Sequence, residues 1–379
     1  MLPIGSIGVT DPHAHDPSAV RVPKQEQEEA STEITEVGRG ILRLQLPTNF
    51  TGLGHVNTYA IEDGRGVTLV DPGLPSEESW TALLDRLSAA GIPLSRVHTV
   101  YVTHSHPDHF GGAHRLVEAA GSDVLTSTMF RRWADLLDLD ETPLEPRNPA
   151  DEGEPTPLWA AEGPLDGAPR HELEIAFPGL AGFRDRVRTA IAEGRLDEVA
   201  WMKVPRPTIA VDDRAVVRMG DRDWVALTTP GHTHDHLCMW SPEDGIVLSG
   251  DHVLPTITPH IGGLFGGDPL ASYLANLDKV AALDGITQVL PTHGHPFSDL
   301  AGRCEAIKDH HARRLDELAD AAPEVGFAGI TRWSEELFSP RSRGQMADSE
   351  THAHLEHLRL AGRAERRTVG DELQYRVLT

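Results

Sequence analysis

Short apolar runs separated by turns dominate the chain from Ile41 onward. The run ILRLQLP and the two runs within NTYAIEDGRGVTLVDPG have the length and composition of β-strands. Residues 76–90 differ, because their apolar positions recur every three or four residues, and Gly91 with Pro93 would end such a helix. The pattern therefore predicts strands joined by turns and followed by a helix in the first hundred residues.

A second group of apolar runs ends in histidine or aspartate. The run RVHTVYVT leads directly into HSHPDHFGG, and the runs in DWVALTTPGH, GIVLSGDHVL and ITQVLPTHGH end in the same residue types. Helices are predicted in GGAHRLVEAAG and DPLASYLANLDKVAALD. Strands alternating with helices indicate an α/β fold. The polar strand ends are expected to meet at one edge.

The sequence pattern divides the chain into three parts. Residues 1–36 mix proline, glycine and acidic residues without periodicity, which is typical of a mobile tail. Residues 37–304 have the pattern of one α/β domain, interrupted at 128–222 by a segment too long for a plain connection. Residues 305–379 predict helices followed by the hairpin AERRTVGDELQYRVL, which is the outline of a winged helix.

Charge and cysteine content argue against several classes of protein. A formal net charge of -24 disfavours nucleic acid as a partner, because phosphate binding depends on lysine and arginine. Cys238 and Cys304 are far apart, so neither a disulfide framework nor a thiolate zinc site is indicated. The sequence shows no signal-peptide pattern and no apolar run of about 18 residues. We therefore expect a cytoplasmic protein without a membrane segment.

The strongest chemical signal follows the strand RVHTVYVT. His104 and His106 are two positions apart, so an extended backbone directs both imidazoles to one side, and Asp108 with His109 leads into the next helix. Imidazole and carboxylate groups suit zinc and similar ions, and the lack of cysteine favours a catalytic over a closed structural site. Three later strand ends supply the same residue types: His232, Asp251 and His293.

The stretch HSHPDH matches the HxHxDH motif of the metallo-β-lactamase fold superfamily, and the later His, Asp and His follow in the family's order. The chain resembles this superfamily, in particular its glyoxalase II-like and β-lactamase-like protein 2 branches, over roughly residues 40 to 300. The resemblance implies an αββα sandwich with two metal ions at one edge. It assigns three ligands to each ion and one bridging carboxylate: His104, His106 and His232; Asp108, His109 and His293; and Asp251.

Residues near these ligands affect the interpretation. Asp71 matches a family position that supports a metal-binding histidine from behind, with a turn-capping aspartate as the alternative. Asp235 stands where many relatives have glycine, and an extra carboxylate there would disfavour anionic substrates or reshape the backbone. Four neighbouring histidines are expected to be supporting groups, substrate contacts or rim groups rather than ligands: His234, His236, His252 and His295.

Hydrolysis is the predicted reaction. Two divalent ions, zinc by preference with iron or manganese as alternatives, would share a water and make hydroxide available at neutral pH. Asp108 would in addition orient this water or help to move its proton. Histidine at the second position of the motif argues against the diiron oxidoreductase branch, whereas a mono-iron sulfur dioxygenase keeps most of the motif and stays an alternative.

The substrate prediction rests on the ligand set, the acidic surface and the insertion at 128–222. Aromatic side chains there would form a lid over a small acyl thioester or ester, or else the core of a helical excursion or a homodimer interface. A lactone is the nearest alternative substrate. The aromatic residues are Phe130, Trp133, Trp159, Phe177, Phe183 and Trp201.

The C-terminal part leaves two further alternatives. Some β-lactamase-like protein 2 relatives cut RNA, but residues 348–361 carry three acids against one arginine, so nucleic acid is disfavoured here. A small basic wing at Arg363, Arg366 and Arg367 is explained equally well by a solvated hairpin or a dimer contact. The other alternative is a metal-bound regulator in which the winged helix carries the function.

Overall fold

A computed structural model describes residues 24–50, 52–130, 206–262 and 267–379, with a few positions between 182 and 195. A seven-stranded sheet forms first, with its strands in sequence order. The first four strands pair antiparallel and the remaining pairs are parallel. The strands are β1 (Thr35–Gly38), β2 (Ile41–Pro47), β3 (His55–Glu62), β4 (Val67–Val70), β5 (Val97–Tyr101), β6 (Asp123–Ser127) and β7 (Ile209–Val211).

A second sheet of five strands has the order β12-β11-β10-β9-β8. Its pairs are antiparallel except β11 with β12, which are parallel and joined by a long crossover that contains a helix. The strands are β8 (Val216–Met219), β9 (Arg222–Thr228), β10 (Leu237–Ser241), β11 (Ile246–Gly250) and β12 (Gln288–Pro291).

The two sheets pack face to face between two layers of helices. Alternation along β3 shows how, since Val56 and Ala60 face the outer helices while Tyr59 and Ile61 pack against the second sheet. Helix α1 (Glu77–Ala89) contributes Leu83 and Leu87 to the outer core of the first sheet. This architecture confirms the predicted αββα sandwich. The helices are α1 (Glu77–Ala89), α2 (Pro107–Phe110), α3 (Ala113–Ala120), α4 (Pro269–Ala281) and α5 (Leu300–Val325).

The C-terminal unit has the order helix, short strand, two helices and hairpin. It contains the second half of α5, β13 (Ala328–Gly329), α6 (Ile330–Leu337), α7 (Gln345–Leu360), β14 (Ala364–Val369) and β15 (Glu372–Val377). The three strands form one sheet in the order β13-β15-β14, so the expected hairpin is present. The expected boundary at 304/305 falls inside α5, because Cys304 packs under the second sheet whereas Leu318 packs in the C-terminal unit.

Two expected segments differ from the structure. Residues 24–36 are not a mobile tail, since Glu26 is buried against the fold and β1 begins at Thr35. Residues 206–222 do not belong to an insertion, because they supply β7 and β8 and lead into β9. Phe130 is buried in the core beneath the first sheet and is no part of a lid. The other five aromatic residues of the predicted lid lie outside the described residues. No helix in the described ranges has the length and apolarity needed to cross a bilayer.

Candidate metal centre

The HSHPDHFGG stretch turns sharply between β5 and α3. His106 caps α2 in extended conformation, and Pro107 occupies the first helical position, where its missing N–H costs nothing. The two glycines are needed because a Cβ on Gly111 would lie 2.2 Å from the Pro75 nitrogen, and one on Gly112 would lie 2.4 Å from the Pro72 oxygen. The loop after β4 therefore packs directly beneath the motif.

Four side chains form a first ligand group around His106. Its Nδ1 lies 3.0 Å from His104 Nε2 and 3.1 Å from His232 Nε2. Asp251 Oδ2 lies 3.5 Å from His232 Nε2 and 4.0 Å from His104 Nε2. Tetrahedral ligands about 2.0 to 2.1 Å from one ion lie roughly 3.4 Å apart, so this spacing fits a shared small cation.

A second group lies beside the first. Asp108 Oδ2 is 3.5 Å from His109 Nε2 and 3.4 Å from His293 Nε2. Asp251 reaches this group as well, with Oδ2 3.6 Å from His109 Nε2 and Oδ1 3.4 Å from His293 Nε2. All seven sequence-predicted ligand candidates thus converge, and Asp251 touches both groups.

Hydrogen bonds on the far side of each ring fix which nitrogen faces the centre. His109 Nδ1 donates to Asp71 Oδ2 at 2.9 Å, His293 Nδ1 to the His55 carbonyl at 2.6 Å, and His232 Nδ1 to the His260 carbonyl at 2.7 Å. The Nε2 atoms of these rings are therefore left as lone-pair ligands. Among the described residues, the buried Nε2 atoms of His109 and His293 have no hydrogen-bond partner of normal geometry. This donor set fits bound metal.

Electrostatics in the centre demand positive charge. Burial alone would raise the pKa of Asp108 and Asp251, but His109 and His293 hold both carboxyl groups below their usual range. Burial lowers the pKa of His109, but the neighbouring carboxylates raise this pKa by more, so its net shift is upward. Burial lowers the pKa of His106 to about 3. The carboxylates require either protons on the histidines or cations in their place.

Asp71 joins this centre from below. The residue is buried, has a positive φ of 51°, and accepts hydrogen bonds from Thr103 N at 2.8 Å and Thr103 Oγ1 at 2.7 Å besides His109. Since the Thr103 hydroxyl donates to Asp71, it accepts from His104 Nδ1 at 3.0 Å. Burial raises the pKa of Asp71, opposed by His109 and Thr103. Asp71 thus orients one ring directly and another through Thr103.

The neighbouring histidines and Asp235 lie outside both ligand groups. His236 Nε2 accepts from Asp251 N at 3.1 Å, and its Nδ1 contacts Thr229 Oγ1 at 2.8 Å, so both ring nitrogens are engaged. His252 packs edge-on against Tyr273, and His295 contacts Glu28. Asp235 accepts a hydrogen bond from Ser105 Oγ, and His234 is half-buried.

Three residues that hold the loop carrying His293 were missed from the sequence: His55, Asn57 and Tyr59. Asn57 Nδ2 donates to the carbonyls of Pro291 and Gly294 at 2.9 and 2.8 Å, and Tyr59 donates to the Pro291 carbonyl at 2.7 Å. These bonds hold the loop that carries His293, together with His55. The available signal was polar side chains inside the buried run HVNTYAI.

The chain is similar in sequence to known proteins. Residues 51–293 match the family model of the metallo-beta-lactamase superfamily. The chain is 24% identical over 333 residues to the probable metallo-hydrolase YqjP of Bacillus subtilis, covering 84% of this chain and 92% of that protein. It is 28% identical over 301 residues to a hydroxyacylglutathione hydrolase of Cupriavidus taiwanensis, covering 78% of each.

A solved structure extends the similarity beyond the sandwich. A beta-lactamase domain protein from Burkholderia ambifaria superposes with a TM-score of 0.69 at 25% identity, covering 93% of this chain and 97% of that one. The aligned part is larger than residues 51–293, so the similarity of fold continues outside the region that the family model matches.

Proposed function

Because the chain belongs to the metallo-beta-lactamase superfamily, we propose that it is a dinuclear metallo-hydrolase acting on a small acyl thioester or ester. The observation that carries this proposal is the pair of adjacent ligand groups with Asp251 in contact with both. Zinc is the favoured metal, since histidine and carboxylate ligands without cysteine suit a catalytic zinc site.

The ligand residues divide the work between them. His104, His106 and His232 would hold one ion, the second group would hold the other, and Asp251 would join them. Ions bound there would lower the pKa of a shared water and polarise the substrate carbonyl. His109 and His293 hold the pKa of Asp108 below its usual range, so its carboxylate would be available to accept a hydrogen bond from such a water and orient it.

One observation supports a thioester substrate, and another argues against RNA. One relative is named for the hydrolysis of an acyl derivative of glutathione and covers 78% of this chain. Arginines of the C-terminal hairpin give RNA little support, because Arg366 contacts Glu356 at 3.5 Å and Arg376 on β15 contacts Glu365 at 2.5 Å. Arg367 instead stacks on Phe327. Contacts within the C-terminal unit thus engage Arg366 and Arg367, two of the three wing arginines that a phosphate backbone would use.

A substrate panel tests the proposal. Purified protein is analysed for metal and then assayed with acyl-glutathione, acyl-CoA, a simple ester, a lactone and single-stranded RNA. We expect about two zinc ions per chain and release of thiol or acid, lost on chelation and restored by zinc. RNA cleavage without release of thiol or acid would refute the acyl substrate. One iron with oxygen consumption would instead establish the sulfur dioxygenase alternative.

A further inference from the structure

Residues Gln25–Glu28, here called the strap, lie across the loops at the metal centre. Glu26 is fully buried, and its carboxylate accepts hydrogen bonds from Thr256 N at 2.8 Å, from Ile257 N at 3.2 Å and from the Thr256 hydroxyl. Its backbone carbonyl accepts from Gly54 N at 2.8 Å. A carboxylate removed from water needs such donors, so Glu26 anchors the strap firmly.

The strap reaches His293 through His55. Glu28 O accepts from His55 Nδ1 at 2.8 Å, and His55 Nε2 accepts from Gly294 N at 3.2 Å. The carbonyl of His55 in turn accepts from His293 Nδ1 at 2.6 Å. The strap carbonyl therefore fixes the protonated nitrogen of His55, and His55 fixes both the loop backbone and the ring of the ligand candidate.

The strap also contacts the residue that follows Gly294. Gln25 Oε1 accepts from His295 N at 3.1 Å, and Glu28 Oε2 lies 2.9 Å from His295 Nε2. The first ligand group takes its orientation from other places, since His232 donates to the His260 carbonyl and His104 to Thr103. Loss of the strap should therefore act on one of the two groups.

We propose that the strap positions His293 and thereby sets the metal affinity of the group formed by Asp108, His109 and His293. This inference rests on the proposed function, because it requires that both groups bind metal. Groups that orient a metal-binding imidazole from behind change metal affinity by roughly 10- to 100-fold. The strap lies outside residues 51–293, the region that the family model matches.

Two pairs of variants separate the strap from the rest of the fold. In Gly54→Ala the new Cβ would lie 2.1 Å from the Glu28 oxygen, which forces the strap away, whereas Gly64→Ala adds a methyl group with nothing within 4 Å. Glu26→Ala removes the anchor. Glu26→Gln keeps an oxygen for both backbone donors and is the matched control.

The test is a zinc titration of the metal-free, full-length protein against a chromophoric chelator, with His293→Ala used to identify the binding step of its group. We expect Gly54→Ala and Glu26→Ala to weaken that step by roughly 10- to 100-fold and to leave the other step unchanged. Gly64→Ala and Glu26→Gln should behave as the wild type. Thermal unfolding of each metal-free variant verifies that it is folded.

Other outcomes overturn the proposal in distinguishable ways. Two unchanged steps in Gly54→Ala and Glu26→Ala would show that the strap does not position His293, with the proposed function intact. Equal weakening of both steps would show a general effect on the fold and would equally refute the local role. Wild-type protein that binds no zinc would overturn the proposed function and the strap's role together.

Discussion

Among the described residues, buried histidines gather in two clusters, and one of these two is built like a metal centre. In the metal centre, protein groups hold the outer nitrogens of His109, His232 and His293, while their Nε2 atoms converge with carboxylates. In the cluster between α5 and α7, the rings bond to each other and to backbone. His311 Nδ1 lies 3.1 Å from His354 Nε2, and His354 Nδ1 donates to the Glu350 carbonyl at 2.8 Å.

The difference shows that convergence, more than burial, distinguishes a ligand group. Burial lowers the pKa of His310 to about 4 and the pKa of His354 below its usual value. The Glu350 carboxylate raises both pKa values and Arg314 lowers both. Neutral rings that bond in pairs require no cation. Within the described ranges, this cluster is not among the groups whose ligand atoms approach one another closely enough for a metal.

Removing Asp251 should break the centre most completely. Its two oxygens lie within 4.0 Å of a nitrogen on each of four histidines, so Asp251→Ala takes a carboxylate from both groups. We expect loss of bound metal and a fall in kcat/KM of at least roughly 10²- to 10³-fold, the scale on which active sites lose rate when one preorganised charge is removed. Metal analysis and steady-state assays provide the measurement.

The matched control is Glu350→Gln in the other cluster. It neutralises a buried carboxylate that lies 3.6 Å from His260 but touches no ligand nitrogen of the centre. We expect it to retain both metals and to lose stability instead. Full metal content in Asp251→Ala, or metal loss confined to Glu350→Gln, would reverse the assignment of the two clusters.

Asp71→Asn should weaken the centre without dismantling it. Asparagine tolerates the positive φ at this position, and its oxygen can still accept from Thr103 N. Its amide cannot serve both Thr103 Oγ1 and His109 Nδ1 as the carboxylate does, so the imidazole loses its orientation. We expect metal affinity of the second group to fall roughly 10- to 100-fold, measured by chelator competition. Wild-type affinity would leave Asp71 only its role in the turn.

The other cluster should make stability depend on pH. The folded pKa of His310 is about 4, below its ordinary value of 6.5, so the unfolded chain takes up a proton first as pH falls. Stability is therefore lost between pH 6.5 and 4. In metal-free protein, the free energy of unfolding of wild type should fall between pH 7.5 and pH 5 by about 2 kcal/mol more than that of His310→Gln. Urea unfolding at the two pH values measures this difference. Parallel curves would mean that His310 is not kept neutral.

Periodic apolar runs were sufficient to predict most of the sandwich. The strands from Ile41 to Tyr101, α1, α3 and the C-terminal hairpin all form where the pattern placed them. Some strands were not predicted from the sequence, among them β7, β8 and β10. β7 and β8 have only three and four residues, and β10 directly follows the histidine-rich turn before Leu237. β7 and β8 carry exposed or half-buried positions, so neither forms the continuous apolar run that marked the similarly short β4 and β12.

The sequence predicted which candidate ligands come together and, in Asp71, one residue that orients a ring, but not the other groups that orient them. Each candidate ligand is a side chain with its own chemical signature, at the end of a strand. The partners of His232 and His293 are backbone carbonyls of His260 and His55, which any residue type could supply. Glu26 was hidden for a related reason, because its donors lie 230 residues away and its surrounding sequence resembles a solvated tail.

The smallest effect concerns Asp235, the carboxylate that departs from the family's glycine. It is buried beside the centre and accepts a hydrogen bond from Ser105 Oγ at 3.1 Å, between His104 and His106 in sequence. Asp235→Asn keeps an acceptor for Ser105 and removes the charge. We expect kcat/KM to rise roughly two- to fivefold for an anionic acyl substrate, since one partly screened charge contributes on the order of 1 kcal/mol.

A neutral ester of the same acyl group serves as the internal control, because removing the charge of Asp235 should leave its kcat/KM unchanged. Asp284→Asn, an exposed aspartate after α4, controls for the change in net charge alone. If both substrates gain equally in Asp235→Asn, the substitution acts on the ligand loop and not on the charge of the substrate. A gain restricted to the anionic substrate, and weakened by added salt, would show that the extra carboxylate selects against negative charge at the metal centre.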